Sequence, residues 1–374
     1  MDASSNALPA LRPSRLPAAP AMDSVRAVAR RLGVSQEAVE LCRDADLLDL
    51  HIDTFIPPRI WGYDPLVRHA GGPFGRRWFG HLDLYRLADG GVNGAMWSIT
   101  TNPFRRPSAR WRIFQRNLRR IQALVTRSKG HMTFVRTAEE YEQARERGQH
   151  AVMLSIQGGN ALDAAPDGVG SLPPDLVTRV TVVHLTNSAL GATSAPFSYL
   201  RGARGLSRKG REFVEQLNAA RIFVDLAHIH ERGFWDAVEV HDASQPLVAT
   251  HTGVDGVRPH WRNLADAQIK KVADTGGVVG IIFATGFLSR TGGPTDGRMI
   301  VEHMEHVMNV GGDDVCAVGS DYDGAITPPW DLASGDTYPR LVQHMLDRAW
   351  SEERIRGVLG ANFLRTFEAL RPRD

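Results

Sequence analysis

The 374-residue chain carries 44 basic and 42 acidic residues, with 43% hydrophobic and 23% charged side chains. A net charge of +2 excludes a global field for nucleic acid, and the composition is that of an ordinary soluble globular enzyme with material for a large core. Two cysteines far apart in the chain, Cys42 and Cys316, exclude a disulfide framework and a thiolate zinc cluster, so a reducing compartment is expected.

Residues 1–21, rich in Ala, Pro and Ser, lack the apolar run of a signal peptide and are expected to be a disordered leader. No stretch approaches the roughly 18 apolar residues of a membrane helix, so a cytoplasmic protein without membrane contact is expected. Met22 to Asp44 has a helical pattern. Its ARRLGVSQEAV segment is similar to the turn of a helix-turn-helix, but no third packed helix follows and the next segment is a strand. DNA binding is set aside on that ground.

From there apolar runs alternate with helical segments. The runs are Leu47–Asp53, Gly91–Thr100, Ala151–Gly159, Arg179–Thr186, Arg221–His228, Pro246–Gly253, Gly277–Thr285 and Val315–Gly324. Helices are expected over Trp111–Ser128, Thr137–Glu146, Arg208–Ala220, Glu231–His241, Ala265–Asp274 and Ile300–Val310, with a helical tail over Ser351–Leu370. Eight near-continuous apolar strands alternating with helices predict an α/β fold, a (β/α)8 TIM barrel, as a single domain over 22–374 with helical flanks. The long tract between Thr54 and Leu84 is expected to be a loop over the barrel mouth.

Catalytic groups of such barrels collect at the carboxyl ends of the strands. Here those ends read His51-Ile-Asp53, Gln157-Gly-Gly-Asn160, His184-Leu-Thr-Asn187, Asp225-Leu-Ala-His228, Thr250-His251-Thr252 and Asp321-Tyr-Asp323-Gly324. His51 and Asp53, two apart on an extended strand, point to the same side. A lone histidine at a strand end is more often a hydrogen-bonded structural residue, and Asp before Gly is usually turn chemistry. Three histidines and two aspartates at four strand ends of one barrel favour a metal site, and imidazole with carboxylate suits zinc.

These motifs resemble those of the membrane (renal) dipeptidase family of zinc metallopeptidases, within the amidohydrolase-like barrels. The resemblance runs from about Leu47 to Phe367. It also rests on Gly80-His-Leu-Asp83, Gly90-Gly-Val92, Trp97-Ser98, Ser155-Ile-Gln-Gly-Gly159, Gly205-Leu-Ser, Gly210-Arg-Glu212, Arg262-Asn-Leu264 and Leu359-Gly-Ala-Asn-Phe-Leu364. It implies a two-zinc site, with His51, Asp53 and Asp321 as ligands of one metal and His228 and His251 as ligands of the other. It implies that Arg262 holds the substrate carboxylate, a use suited to a guanidinium. In the family a hydroxide between the metals attacks the peptide carbonyl, and the carboxylate matching Asp321 passes a proton to the leaving amine.

The chain departs from the family twice. The glutamate that bridges both zincs is replaced by Gln157. Two Zn2+ ions are balanced by Asp53, Asp321, a bridging glutamate and a hydroxide; with Gln157 one positive charge is left over, which predicts one zinc, or two with weakened affinity. After the fourth run, a Leu-Thr-His motif is replaced by Leu185-Thr186-Asn187, so Asn187 is expected to contact substrate and to donate to an oxyanion. His184, three residues earlier, faces the opposite side of an extended strand. The expected protein is thus a zinc-dependent dipeptidase-like hydrolase of a small carboxylate-bearing substrate, catalytic through Asp321 and Asn187, with Gln157 among the metal residues. The alternatives are a specialised biosynthetic enzyme with a mononuclear site and altered chemistry, or a non-catalytic relative. Family members are often dimers, so a homodimer is an expectation.

Overall fold

The structure is a computed structural model that describes residues 23–373 apart from 54, 71–74, 197–201, 203 and 204. The expected leader lies outside the described residues. Among those described, nine parallel strands form one sheet: β1 Leu47–Ile52, β2 Val92–Thr100, β3 Met132–Phe134, β4 His150–Gln157, β5 Val177–Thr181, β6 Phe223–Asp225, β7 Val248–Thr252, β8 Val278–Ile281 and β9 Cys316–Val318. Eight of them follow the order β1-β2-β4-β5-β6-β7-β8-β9, and β3 pairs only with the start of β4. The ring closes through the chain just after β9. Tyr322 bridges Ile52, Asp53 N–H donates to the Tyr322 carbonyl at 2.8 Å, and Asp321 N–H donates to the His51 carbonyl at 2.9 Å. The chain is a (β/α)8 barrel, and its eight ring strands are the eight apolar runs of the sequence. β3 is too short to leave a periodic signal.

Helices Pro107–Arg127, Ala138–Glu146, Arg208–Ala219, Glu231–Val240, Asp266–Asp274 and Arg298–Gly311 occupy the expected segments. The expected N-terminal helix is two. Gly33, at φ 69°, ends Val25–Leu32 by donating its N–H to the Ala29 carbonyl, and the Ser35 side chain caps Gln36–Asp44. A helix at Tyr338–Asp347 was not expected. The tail is interrupted by a π turn, Gly357–Ala361, between helices Glu352–Arg356 and Asn362–Leu370. Among the described residues no helix is long and apolar enough to cross a membrane.

The barrel interior is stratified. At the strand starts Leu48, Leu50, Met96, Met153, Phe223, Val248 and Val278 pack against Phe363 and Phe367 of the last helix. Each phenylalanine contributes about 1.5–3 kcal/mol by burial. Above this floor the strands turn polar in register: Ser98, Ser155 and Arg179 pair across β2, β4 and β5. Next come Thr100, Gln157, Thr181 and Asp225 across β2, β4, β5 and β6. Partners in a parallel register share a face, so each row forms one interior layer. The upper row borders the mouth.

Burial pushes three histidines of the scaffold far below the ordinary imidazole range, His81 to about 3, His150 to about 4 and His303 to about 4. The folded protein keeps them neutral, whereas the unfolded chain takes up protons below about pH 6.5. Their stabilisation is therefore complete above that pH and is lost progressively as the pH falls toward the folded values. Urea midpoints measured from about pH 7 to pH 5 should fall, as the unfolding free energy drops by up to about 1.4 kcal/mol per pH unit for each histidine. A flat midpoint would mean that these rings are not buried as neutral groups.

Candidate metal centre

The two imidazoles at the centre are aimed by the same backbone device. From Asp49 to Ile52, β1 takes three steps against two on β2, Ala95 to Trp97. From Ala249 to Thr252, β7 takes three steps against two on β8, Val279 to Ile281. Each extra residue is a β-bulge, which locally resets the alternation of faces. Leu48 and Leu50 belong to the interior floor, while Asp49 faces out to the Tyr338 hydroxyl at 2.5 Å. Strict alternation would turn His51 outward with Asp49; the bulge turns it in. At the far side Gly319 lets β9 approach β7, because a Cβ there would meet the Thr250 carbonyl oxygen at 1.7 Å.

His51 and His251 stack with ring centroids 3.8 Å apart. His51 Nε2 lies 3.5 Å from Asp321 Oδ1 and 3.8 Å from Asp53 Oδ2. His228 and His251 meet at 2.8 Å between their Nε2 atoms, and the Gln157 Nε2 lies 3.5 Å and 3.4 Å from the same two atoms. His228 and Asp321 are held at φ 65° and 61°, left-handed conformations that non-glycine residues rarely adopt and that concentrate at functional sites. His51, Asp53, Gln157, His251 and Asp321 are buried, and His228 is partly so. The structure thus gathers all six side chains singled out as metal residues.

The donor set fits a cation. Ligand atoms of His51, His251 and Asp321 lie within 4.8 Å of one another. His51 Nε2 and Asp321 Oδ1 are buried without a hydrogen-bond partner, a state that costs about 1–3 kcal/mol per group and that a shared cation relieves. Burial lowers the basicity of His51, reinforced by the Arg179 charge; burial likewise holds His228 and His251 well below the ordinary range. Neutral imidazole is the form that binds a metal. Burial raises the Asp53 carboxyl, but the adjacent His51 and Thr100 outweigh it and hold Asp53 below its usual range. Asp321 is pushed well up, first by burial and then by the Asp53 charge. Below the site, Arg179 donates to His51 Nδ1 at 2.6 Å. This contact at the far nitrogen holds the ring with Nε2 turned toward the carboxylates of Asp53 and Asp321.

Arg262 is 3% exposed and donates to the His251 carbonyl at 2.7 Å, while its Nε has no partner. Burial lowers it to about 10, so it remains charged at neutral pH. Asn187 sits elsewhere than an extended strand would put it: its Oδ1 accepts from the Thr193 N–H at 3.0 Å. The imidazole that faces the site is His184, buried edge-to-face on His228 at 4.7 Å and lowered by burial to about 3. The reason is that β5 ends at Thr181. Leu185 then takes φ 52° and His184 bridges Thr186, so the two-residue alternation used to place 184 and 187 does not apply. Arg179 and the hydroxyls of Thr100 and Thr250 were not anticipated. A charged residue inside the short apolar strand Val177–Thr181 was the available signal.

The sequence profile of the membrane dipeptidase family (Peptidase family M19) matches residues 35–372. An uncharacterized protein in the pqqA 5′ region of Klebsiella pneumoniae is 31% identical over 267 residues, covering 68% of this chain and 95% of that protein. A solved structure described as the dipeptidase AC, a metallopeptidase of family M19, superposes with a TM-score of 0.77 at 25% identity, over 87% of this chain and 98% of that one. A metallopeptidase from Rhodobacter sphaeroides, liganded with a phosphinate mimic of the dipeptide L-Ala-D-Ala, superposes with a TM-score of 0.76 at 24% identity, over 87% and 99% of the two chains. At that identity the likeness speaks for the fold.

The crowding of Asp53 and Asp321 generates a test. Asp321→Asn removes the repulsion and should raise the stability of the chelator-stripped protein, by about 1 kcal/mol in urea unfolding. The same change should abolish the rise in Tm on adding zinc. A variant less stable than wild type when stripped of metal would refute the crowding.

Proposed function

The chain belongs to the membrane dipeptidase family, and on that premise we propose that it hydrolyses the amide bond of a dipeptide or similar small carboxylate-bearing substrate with one tightly held zinc ion. The carrying observation is the group of His51, His251 and Asp321, with two orphaned ligand atoms and Asp53 beside them. Asp53 and Asp321 balance one divalent cation, and Asp225 balances the buried Arg179. A second cation would meet only neutral groups, Gln157 and His228, close to the charge of Arg262, where the excess has no counterion.

Zinc bound by these residues supplies a nucleophilic water at neutral pH and polarises the scissile carbonyl. Arg262 bonds a backbone carbonyl rather than a carboxylate, which leaves its charge available for the substrate carboxylate. His184, neutral and against His228, offers an N–H to the oxygen on which negative charge develops. This is the role that the sequence assigned to Asn187, whose NH2 remains a second candidate for it. Asp321 carries the proton to the leaving amine. Thr100 has one hydroxyl hydrogen for two neighbours, Asp53 Oδ1 at 2.7 Å and Gln157 Oε1 at 2.8 Å. Asp53 can only accept. A half-turn of the Gln157 amide lets its NH2 donate to Thr100 and brings its carbonyl oxygen toward His228 and His251, as a single neutral ligand. Gln157 also favours a second reading, in which a mononuclear site acts on a modified amino acid or peptide-like intermediate. The intact ligand set speaks against a non-catalytic relative.

Metal analysis and a dipeptide panel test the proposal. Wild type should hold close to one zinc per chain, and Gln157→Glu should gain a second together with faster dipeptide turnover. Wild type with two zincs and rapid turnover would sink the one-metal assignment; a single zinc without dipeptide turnover would favour the second reading. Arg262→Met should raise KM about 30- to 150-fold for substrates with a free carboxylate, a loss of about 2–3 kcal/mol, and leave their C-terminal amides nearly unchanged. Equal losses on both would remove Arg262 from carboxylate binding.

A further inference from the structure

Beneath the two imidazoles lies an ion pair that the proposed hydrolysis does not use. Arg179 and Asp225 are both 0% exposed, with Nη1 and Oδ2 3.0 Å apart. The other guanidinium nitrogen donates to His51 Nδ1 at 2.6 Å and also reaches the hydroxyls of Ser98 at 3.0 Å and Ser155 at 3.2 Å. On the opposite side Asp225 Oδ2 accepts the Thr250 hydroxyl at 2.8 Å, and Oδ1 accepts the Thr250 N–H at 3.0 Å. Thr250 Oγ1 lies 3.0 Å from His251 Nδ1. Its own hydrogen goes to the carboxylate, so it accepts from His251 Nδ1–H and leaves the His251 Nε2 lone pair facing the site.

A continuous path thus runs from His51 Nδ1 through Arg179, Asp225 and Thr250 to His251 Nδ1. We propose that the Arg179–Asp225 pair is a positioning brace that fixes the rotation of both imidazoles, and so the affinity and geometry of the cation, without touching it. The proposal rests on the metal assignment above. The torsion that turns an imidazole ring is intrinsically broad, so each ring needs a partner at its far nitrogen to hold it. The bulges bring the two side chains inside; the brace sets where their nitrogens point. A buried ion pair is a poor way to fill a barrel, since both ions lose their hydration and apolar side chains would fill the space more stably. Its contacts give it a use, because each end of the pair reaches a different imidazole.

Cobalt(II) titration of the full-length protein, read by binding constant and visible absorption, tests this. Thr250→Val cuts the path at a neutral bond and leaves the ion pair whole; Arg179→Lys keeps the charge but cannot span Asp225 and His51. Both should bind cobalt about 10- to 100-fold more weakly, with a shifted visible spectrum and a kcat that falls more than KM changes. Thr250→Ser, which retains the hydroxyl, should restore all three. Should Arg179→Lys fail to fold, the Thr250 pair alone decides. Folded variants with wild-type cobalt affinity and spectrum overturn the brace while leaving the metal assignment standing. A wild type that takes up no cobalt overturns both.

Discussion

The interior of this barrel is organised by the need to accommodate one guanidinium. Arg179 projects from β5 into a space that water does not reach, where an uncompensated charge would be prohibitive. Asp225 neutralises it from β6, and Ser98, Ser155 and Thr181 bring hydroxyls from β2, β4 and β5. Apart from Thr181 these partners come from other strands, so they meet Arg179 only when the strands are in their observed register. The polar layer is therefore a constraint on the ring as a whole. It separates an apolar floor, sealed by Phe363 and Phe367, from the charged mouth.

Above that layer the protein keeps arrangements that stability alone would not select. Two carboxylates crowd each other, His51 Nε2 and Asp321 Oδ1 lack partners, and His228 and Asp321 hold left-handed backbones. Violations of local rules that gather at one place mark a functional site. Gln157 stands as a neutral amide beside His228 and His251, and Arg262 donates to the His251 carbonyl.

The apolar runs made the barrel legible because strands buried on both faces read as continuous hydrophobic segments. The candidate ligand residues were legible because they stand at the ends of those runs. Less legible were the elements without a periodic signal: β3, the helix Tyr338–Asp347, and the break at Gly33 that divides one expected helix into two. The exchange of Asn187 for His184 has a different cause. Period-two reasoning holds only inside a strand, and β5 ends three residues before His184.

By itself, then, the sequence determined the (β/α)8 ring, the family, and the set of side chains brought to the mouth. Those follow from hydrophobic pattern and motif order, which are properties of the chain read in one dimension. Only the tertiary structure decided how the set is aimed. The bulges in β1 and β7 exist only relative to the strands beside them. The pairing of Arg179 with His51 and Asp225 spans residues 128 and 46 positions apart, and becomes compulsory once folding removes the water around them.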